Sequence, residues 1–385
     1  MEFTVTAAHP TLYKRGSKGE VRVWFMELGH TEAFIDGPGA HRVVSGILDG
    51  AMTTSGWTVC EPKNVGRSNA TTSAYQAEAE IFNMYAIKES RDYFRTVTDI
   101  DKVQFTKPML ALDYDKRVGK FDVTKGVYAQ PKFDGIRCIA RADGLWTRTG
   151  KPIMGVPHVW GAVAHLFDSN PDLILDGELY NHKLRDDFNT ITSIVRKASP
   201  TEEELEKSCE LIQYHIYDMP SEGGGFETRH EALQGIFDLI GEGGIVQRVE
   251  TIYVTTQAEL DALNTRWLKE GYEGEMVRLL WEEYAFGRRS GALLKRKQWI
   301  TEEFPIKSIL AGTGNWAGVA KTAVVSLPDG GESEATFTGS QEEMQALLEN
   351  PSCPDWGTVK YFGYTPAGKL RFPNVIDYGW GQRVD

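Results

Sequence analysis

Hydrophobic and polar positions divide the chain into three stretches with different rhythms. Residues 1 to 104 open with short alternating runs such as Val21-Arg-Val-Trp-Phe25, separated by the glycine-rich turns Gly16–Glu20 and Asp36–His41, which predict the strands of a small sheet. A helix is expected from Thr71 to about Phe94: it begins at threonine caps and places Tyr75, Ala79, Phe82 and Tyr85 on roughly one face. Residues 106 to 110 read as a boundary. From 105 to 300, strand-like and helical segments alternate. Beyond Thr301, short runs (Pro305–Gly312, Thr322–Pro328, Glu334–Gly339, Gly357–Tyr364) are broken by Gly, Pro and Asp at the spacing of a small β-barrel, with one helical insert over Gln341–Leu348. The expected units are therefore 1–104, 105–300 and 301–385.

Bulk numbers change this picture little. At 385 residues the chain is roughly two to three times the usual domain, so each unit can hold its own core. A hydrophobic fraction of 41 % with 25 % charged residues is that of a globular protein. The formal net charge of -12 excludes a uniformly basic coat for nucleic acid, so any such binding must be local. The four cysteines, Cys60, Cys138, Cys209 and Cys353, form no C-x-x-C pair, which indicates neither a zinc module nor a disulfide framework and suits a reducing cytoplasm. With no basic-apolar leader and no run of about 18 apolar residues, the expectation is a protein neither secreted nor membrane-anchored.

The chemistry concentrates in the middle stretch. Gln130-Pro-Lys-Phe-Asp-Gly-Ile-Arg137 sets a lysine after a strand-like run, with Asp-Gly two residues on. A lysine nucleophile must be neutral, and lowering its pKa from about 10.4 towards 7 takes on the order of 4 to 5 kcal/mol from nearby cations, a metal or desolvation. Arg137, Lys295 and Lys297 are available for this. The competing reading is a surface hairpin whose turn is Asp-Gly. Arg148-Thr-Gly-Lys-Pro-Ile153 could hold phosphate oxygens or be a solvated basic turn.

In Leu173-Ile-Leu-Asp-Gly-Glu-Leu179, alternation puts Asp176 and Glu178 on one face of an apolar strand, where they need a metal or a salt-bridge partner. Tyr217, in Gln213-Tyr-His-Ile-Tyr-Asp218, offers either a stacking surface or plain core. Glu273-Gly-Glu-Met-Val-Arg278 should place Glu273, Glu275 and Val277 on one face, with the glycine permitting close approach to a ligand. Lys295 and Lys297, in Leu293-Leu-Lys-Arg-Lys297, share a face and call for an anion between them.

Taken in order, these six segments resemble the nucleotidyltransferase motifs of ATP-dependent DNA ligases, in particular the compact bacteriophage and large-virus type. RNA ligases and capping guanylyltransferases share the lysine chemistry but differ around Arg148. A catalytically inert nick-binding protein is the alternative from another class. The resemblance implies an α+β chain: an antiparallel-sheet nucleotidyltransferase (adenylation) domain over 105–300, an OB-fold β-barrel over 301–385, and before them a small α+β N-terminal domain.

On matching positions it implies Lys132 as the residue adenylated by ATP, Arg137 and Glu178 at the ribose, Tyr217 against adenine and Gln130 at the adenine edge. It further implies Glu178 and Glu273 as carboxylates for Mg²⁺, Lys295 and Lys297 on the phosphates, and Arg148 on the nick 5′-phosphate. Nicked double-stranded DNA would be the partner of a monomer. The resemblance weakens after Leu370-Arg-Phe-Pro373, where the family's basic stretch is replaced by Asn374–Gln382; Lys369, Arg371 and Arg383 all stay open as the pyrophosphate-orienting cation. Residues 1–104 are faintly similar to WGR-type DNA-binding modules, through Tyr13–Lys18, Arg22–Trp24 and Lys63–Arg67.

Overall fold

The computed structural model describes all residues except 1, 17, 32–36, 90, 92, 102–106, 242 and 383–385, and all side chains of the described residues except that of Asn315. The chain divides into two compact units, Gln104–Gln298 and the two flanking segments Met1–Val103 with Trp299–Asp385. The expected boundary at 104/105 and the cation Arg383 lie outside the described residues.

The first flanking segment is a six-stranded sheet, β1 (Thr4–Ala8), β2 (Leu12–Arg15), β3 (Val21–His30), β4 (Gly39–Ile47), β5 (Met52–Thr54) and β6 (Thr58–Val59), with one helix, α1 (Ser73–Glu89). Alternation along β3 delivers Trp24, Met26 and Leu28 to one face, where Ala77, Ile81 and Tyr85 of α1 pack. The helical face differs from the expected one. Tyr85 is buried, but Tyr75 and Phe82 are 61 % and 60 % exposed, because the i, i+4, i+8 row through Ala77 meets the sheet and the row through Tyr75 turns away. The expected helix also ran too far: Phe94 pairs with Tyr13 as a bridge.

The central unit contains β7 (Leu110–Asp113), β8 (Val127–Lys132), β9 (Ile136–Arg141), β10 (Gly144–Thr147), α2 (Pro157–Ser169), β11 (Leu175–Tyr180), α3 (Phe188–Val195), α4 (Glu202–Leu211), β12 (Gln213–Asp218), α5 (Phe226–Ile240), β13 (Val246–Arg248), β14 (Ile252–Val254), α6 (Gln257–Glu270), β15 (Gly274–Leu279) and β16 (Arg289–Lys297). Two five-stranded sheets result, ordered β10-β9-β11-β12-β13 and β14-β8-β15-β16-β7. Both are antiparallel at their centres, while the edge pairs β12/β13 and β16/β7 are parallel. The first sheet packs its apolar face (Cys138, Ala140, Leu175, Leu179) against α2, α3 and α5; the second packs Val127, Ala129, Val277 and Leu294 against Leu260 and Trp267 of α6.

The other flanking segment folds into a closed barrel of β17 (Ile300–Ala311), β18 (Ala320–Ser326), β19 (Glu332–Phe337), β20 (Trp356–Tyr361) and β21 (Asn374–Gly379), with α7 (Gln341–Glu349) between β19 and β20. Its order, β17-β18-β19-β21-β20, with β19 and β21 parallel, is that of an OB-fold. The helix begins with a capping box, Ser340 with Glu343, and buries Met344 and Leu347.

Trp267 is fully buried, and its indole N–H donates to Glu250 at 2.9 Å. Trp267→Ala removes the largest side chain under the second sheet and is expected to destabilise the central unit by ~3–5 kcal/mol. Urea unfolding followed by far-ultraviolet circular dichroism checks this; an unchanged midpoint would contradict the packing described.

Candidate active site

The segment around Lys132 does not form a hairpin. Lys132 ends β8 in one sheet, and β9 begins four residues later in the other, since β8 pairs with β14 and β15 while β9 pairs with β10 and β11. The connection passes so close to β11 that a side chain at Gly135 would meet the Leu179 carbonyl oxygen at 2.6 Å. The chain thereby crosses from one sheet to the other beside the lysine, along a cleft of about 1080 Å³.

Gln130, Lys132, Arg137, Arg148, Glu178, Tyr217, Lys295 and Lys297 all line this cleft. Among the described residues ten basic side chains and one acidic one, Glu178, do so, in a protein of net charge -12. Positive potential is thus focused where a polyanion could enter.

Glu273 lies at the end of this lysine row. It is buried and joins Lys132 and Lys297 in a three-membered ion pair. Burial opposes the charge on Glu273, but the two ammonium groups outweigh it and hold the carboxyl below its ordinary value. Strand alternation alone misplaces this residue. Glu275 and Val277 face α6, with Arg296 3.6 Å from Glu275, whereas Glu273 faces the lysines. Gly274, at φ +148°, breaks the alternation, and a side chain there would meet the Arg296 carbonyl oxygen at 2.1 Å. The glycine is thus required by the neighbouring strand.

Asp176 and Glu178 share a strand face but have different partners. Asp176 is held by both arms of the Arg137 guanidinium, at 2.8 and 2.5 Å, and by the Tyr284 hydroxyl at 2.6 Å. Burial works against the charge on Arg137, yet Asp176 and the tyrosines keep its pKa well above the ordinary value. Glu178 instead accepts a hydrogen bond from the Tyr217 hydroxyl at 3.3 Å. Burial pushes its carboxyl up to about 7, against the opposing pull of Lys132 and Arg137. Lys295 is pushed down by burial first, then by Lys297, Arg289 and Lys132.

The floor of the cleft is a network that connects residues distant in sequence. The Gln130 side-chain oxygen accepts from Arg278 at 2.6 Å, and its amide donates to Thr251 at 2.9 Å and to the Tyr217 carbonyl at 3.3 Å. Arg278 also pairs with Asp218 at 2.6 Å, which pairs with Arg229 of α5 at 2.7 Å. The Arg137 and Arg278 guanidinium carbons sit 5.9 and 5.2 Å from the centre of the Tyr217 ring. Sequence reasoning missed Arg278, although it quoted the segment that contains it; an arginine ending a buried strand was the available signal. It also missed Arg196 and Lys197, at the end of α3, which line the cleft alongside Arg148 and Lys151. Arg148 stands exposed at the tip of the turn closed by Thr147 and Lys151.

Of the open cations in the barrel segment, Lys369 bonds the Glu332 carbonyl, and Arg371 lies over the Phe362 and Phe372 rings at 5.3 and 5.7 Å.

Residues 108–297 match the ATP dependent DNA ligase domain family. A DNA ligase of African swine fever virus is 26 % identical over 278 residues, 67 % of this chain and 62 % of the relative; another isolate's DNA ligase is 28 % identical over 249 residues, 60 % of this chain and 55 % of the relative. The chain therefore spans less than two thirds of the length of these relatives. Among solved structures, a Lig E DNA ligase covers 71 % of this chain and 99 % of its own, with a TM-score of 0.61 and 24 % identity, which shows a shared fold. Among the described residues no helix is long and apolar enough to cross a membrane.

The raised Glu178 carboxyl has a stability consequence. Because the folded protein holds this proton up to about 7 rather than the ordinary 4.5, its share of stability is present at low pH and is lost as pH rises between those values. Glu178→Gln should therefore gain on the unsubstituted protein across that window, levelling off at ~3 kcal/mol above it. Urea unfolding at several pH values without nucleotide or divalent cation reads the difference, and parallel curves would refute the assignment.

Proposed function

Since residues 108–297 belong to the ATP-dependent DNA ligase domain family, we propose that the protein is an ATP-dependent DNA ligase that seals nicks in duplex DNA through a lysyl-AMP intermediate. The observation that carries this reading is the position of Lys132: a strand-end lysine at the cleft wall, ion-paired through Glu273 to a second cation, Lys297.

The neutral amine of Lys132 attacks the α-phosphorus of ATP. A nitrogen–phosphorus bond forms as the bond to the pyrophosphate oxygen breaks, and the lysine proton is lost to solvent. Little acid-base chemistry is needed beyond this; positioning and positive charge carry the step. Lys295 and Lys297, which both line the cleft, hold phosphate oxygens. Tyr217 supplies a ring for adenine, Gln130 an amide fixed in orientation by Arg278, and Arg137 with Glu178 the contacts to ribose.

A 5′-phosphate oxygen of the nick then attacks the lysyl-AMP phosphorus, releasing the Lys132 amine, and Arg148 at the rim binds that phosphate. Attack by the adjacent 3′-hydroxyl on the 5′-phosphorus expels AMP and closes the strand.

A divalent cation fits the donor set. Glu178 is a half-buried carboxylate whose charge is disfavoured, with a hydroxyl as its hydrogen-bond partner among the described residues, so a hard cation such as Mg²⁺ would satisfy it. Glu178 and Glu273 would hold the ion, Glu273 by giving up one of its lysines. Bound there, Mg²⁺ would neutralise charge on the phosphates. The rest of the assignment is a monomer acting in the cytoplasm, with three domains at 1–104, 105–300 and 301–385.

Incubation with α-labelled ATP and Mg²⁺, then with nicked duplex DNA, tests the reading. Label should appear on the protein, be discharged as the nick closes, and be absent from Lys132→Ala, with sealing reduced at least a thousandfold. Labelling without sealing of DNA would favour an RNA ligase or, with GTP as donor, a capping enzyme. An unlabelled protein that binds nicks would favour a binding protein.

The N-terminal sheet is assigned to DNA contact through Lys63–Arg67, an exposed loop next to α1. Deleting residues 1–104 should weaken nick affinity and flatten its dependence on salt, measured by fluorescence anisotropy. Equal slopes with and without the segment would remove that role.

A further inference from the structure

The N-terminal sheet carries a second cluster of chemically active side chains, made from three separate elements. His41 of β4, Cys60 just beyond β6 and Glu80 of α1 bring an imidazole nitrogen, a thiol sulfur and a carboxylate oxygen within 4.8 Å of one another. The nitrogen and sulfur stand 3.2 and 3.5 Å from the same oxygen of Glu80. His41 and Cys60 are buried, at 7 % and 4 % exposure, and Glu80 is partly covered.

Tetrahedral zinc, with bonds of about 2.0–2.1 Å to nitrogen or oxygen and about 2.3 Å to sulfur, sets donors roughly 3.3 Å apart for nitrogen–oxygen and 3.6 Å for sulfur–oxygen. The two separations in this cluster match those edges. We propose that His41, Cys60 and Glu80 bind a Zn²⁺ ion that clamps α1 to the sheet.

Three further observations support the clamp. The other Glu80 oxygen accepts from Gln76 at 2.8 Å and from Lys63 at 3.0 Å, so the carboxylate is held in orientation from outside, as metal-binding carboxylates are. The core shared by α1 and this sheet is small, built on eight buried residues, and small cores gain most from a metal staple. The mixture of imidazole, thiolate and carboxylate selects a transition metal such as zinc over Mg²⁺.

The lack of a C-x-x-C pair excludes cysteine-rich zinc modules, but it does not bear on a site assembled from a strand, a loop and a helix. Binding replaces the Cys60 thiol proton, which leaves to solvent, and the fourth position is open to water. The rival account is a hydrogen-bond cluster alone, in which Glu80 accepts from His41, Cys60, Gln76 and Lys63 and no metal enters.

The full chain with its exposed cysteines replaced, Cys209→Ser and Cys353→Ser, is stripped with chelator and titrated with Co²⁺. One equivalent should produce a thiolate-to-cobalt charge-transfer absorption that Zn²⁺ abolishes by displacement. Adding Cys60→Ser should eliminate the band, and His41→Ala or Glu80→Gln should weaken binding by about tenfold or more. Zn²⁺ should raise the melting temperature of the parent and leave that of Cys60→Ser unchanged. Should Cys60→Ser fail to fold, Glu80→Gln, which keeps the side chain's shape, gives the same reading. No band, a band that survives Cys60→Ser, or equal affinity in the parent and Glu80→Gln would overturn the proposal in favour of the hydrogen-bond cluster.

Discussion

The central unit depends on Asp218, a fully buried carboxylate gripped by two buried arginines. Burying one unpaired charge costs several kcal/mol, so none of the three can be removed cheaply, and their directions are fixed by the need to satisfy one another. Arg229 comes from a helix, Arg278 from the second sheet and Asp218 from the first, so the network ties the two sheets together at the cleft floor. Its reach extends to the ligand-facing groups. Arg278 also takes the Gln130 oxygen, which forces the amide towards Thr251 and the Tyr217 carbonyl. Arg137 and Asp176 repeat the arrangement one strand away, bridging to the Met109 carbonyl beside the second sheet.

This arrangement separates the cleft's cations into two kinds. Arg137 and Arg278 are committed to buried carboxylates and serve as walls. Lys295, Arg148 and Lys151 stand at or near the surface of the cleft, where a phosphate can reach them. The net negative charge of the chain is compatible with binding polyanions because the carboxylates that approach the cleft are already covered by arginine or lysine, with Glu178 the exception. Among the cleft-lining groups, that exception is also a carboxylate whose charge burial disfavours, and so one that a bound cation would stabilise.

Local rhythm made much of this legible. Period-two alternation placed Asp176 with Glu178 and Lys295 with Lys297, and the turn residues beyond Thr301 marked the barrel and its helix. What failed did so for identifiable reasons. Gly274 takes a backbone conformation that rotates Glu273 out of register, and alternation cannot anticipate it. The Asp-Gly after Lys132 has the local signature of a hairpin, yet its flanking strands join different sheets, a choice made by long-range pairing. In α1, the row of Ala77, Ile81 and Tyr85 competes with the face carrying Tyr75 and Phe82, and only the sheet decides which is covered. Arg229 and Asp218 meet across a loop and a helix turn, with no periodic pattern to announce them.

Glu273 shows how these constraints meet the chemistry. One carboxylate holds Lys132, the proposed nucleophile, and Lys297, a proposed phosphate-binding group, together, so neither ammonium is left without a partner. The arrangement cannot persist through the reaction, because an ammonium paired to a carboxylate is not a nucleophile. On the proposed mechanism a triphosphate would compete with Glu273 for Lys297, and a divalent cation held by Glu273 would compete with Lys132 for it. Both exchanges would free a lysine while its former partner gains another counter-charge. In the proposed reaction the ion triad is thus the part that would be displaced, while the arginine–aspartate pairs beneath it stay.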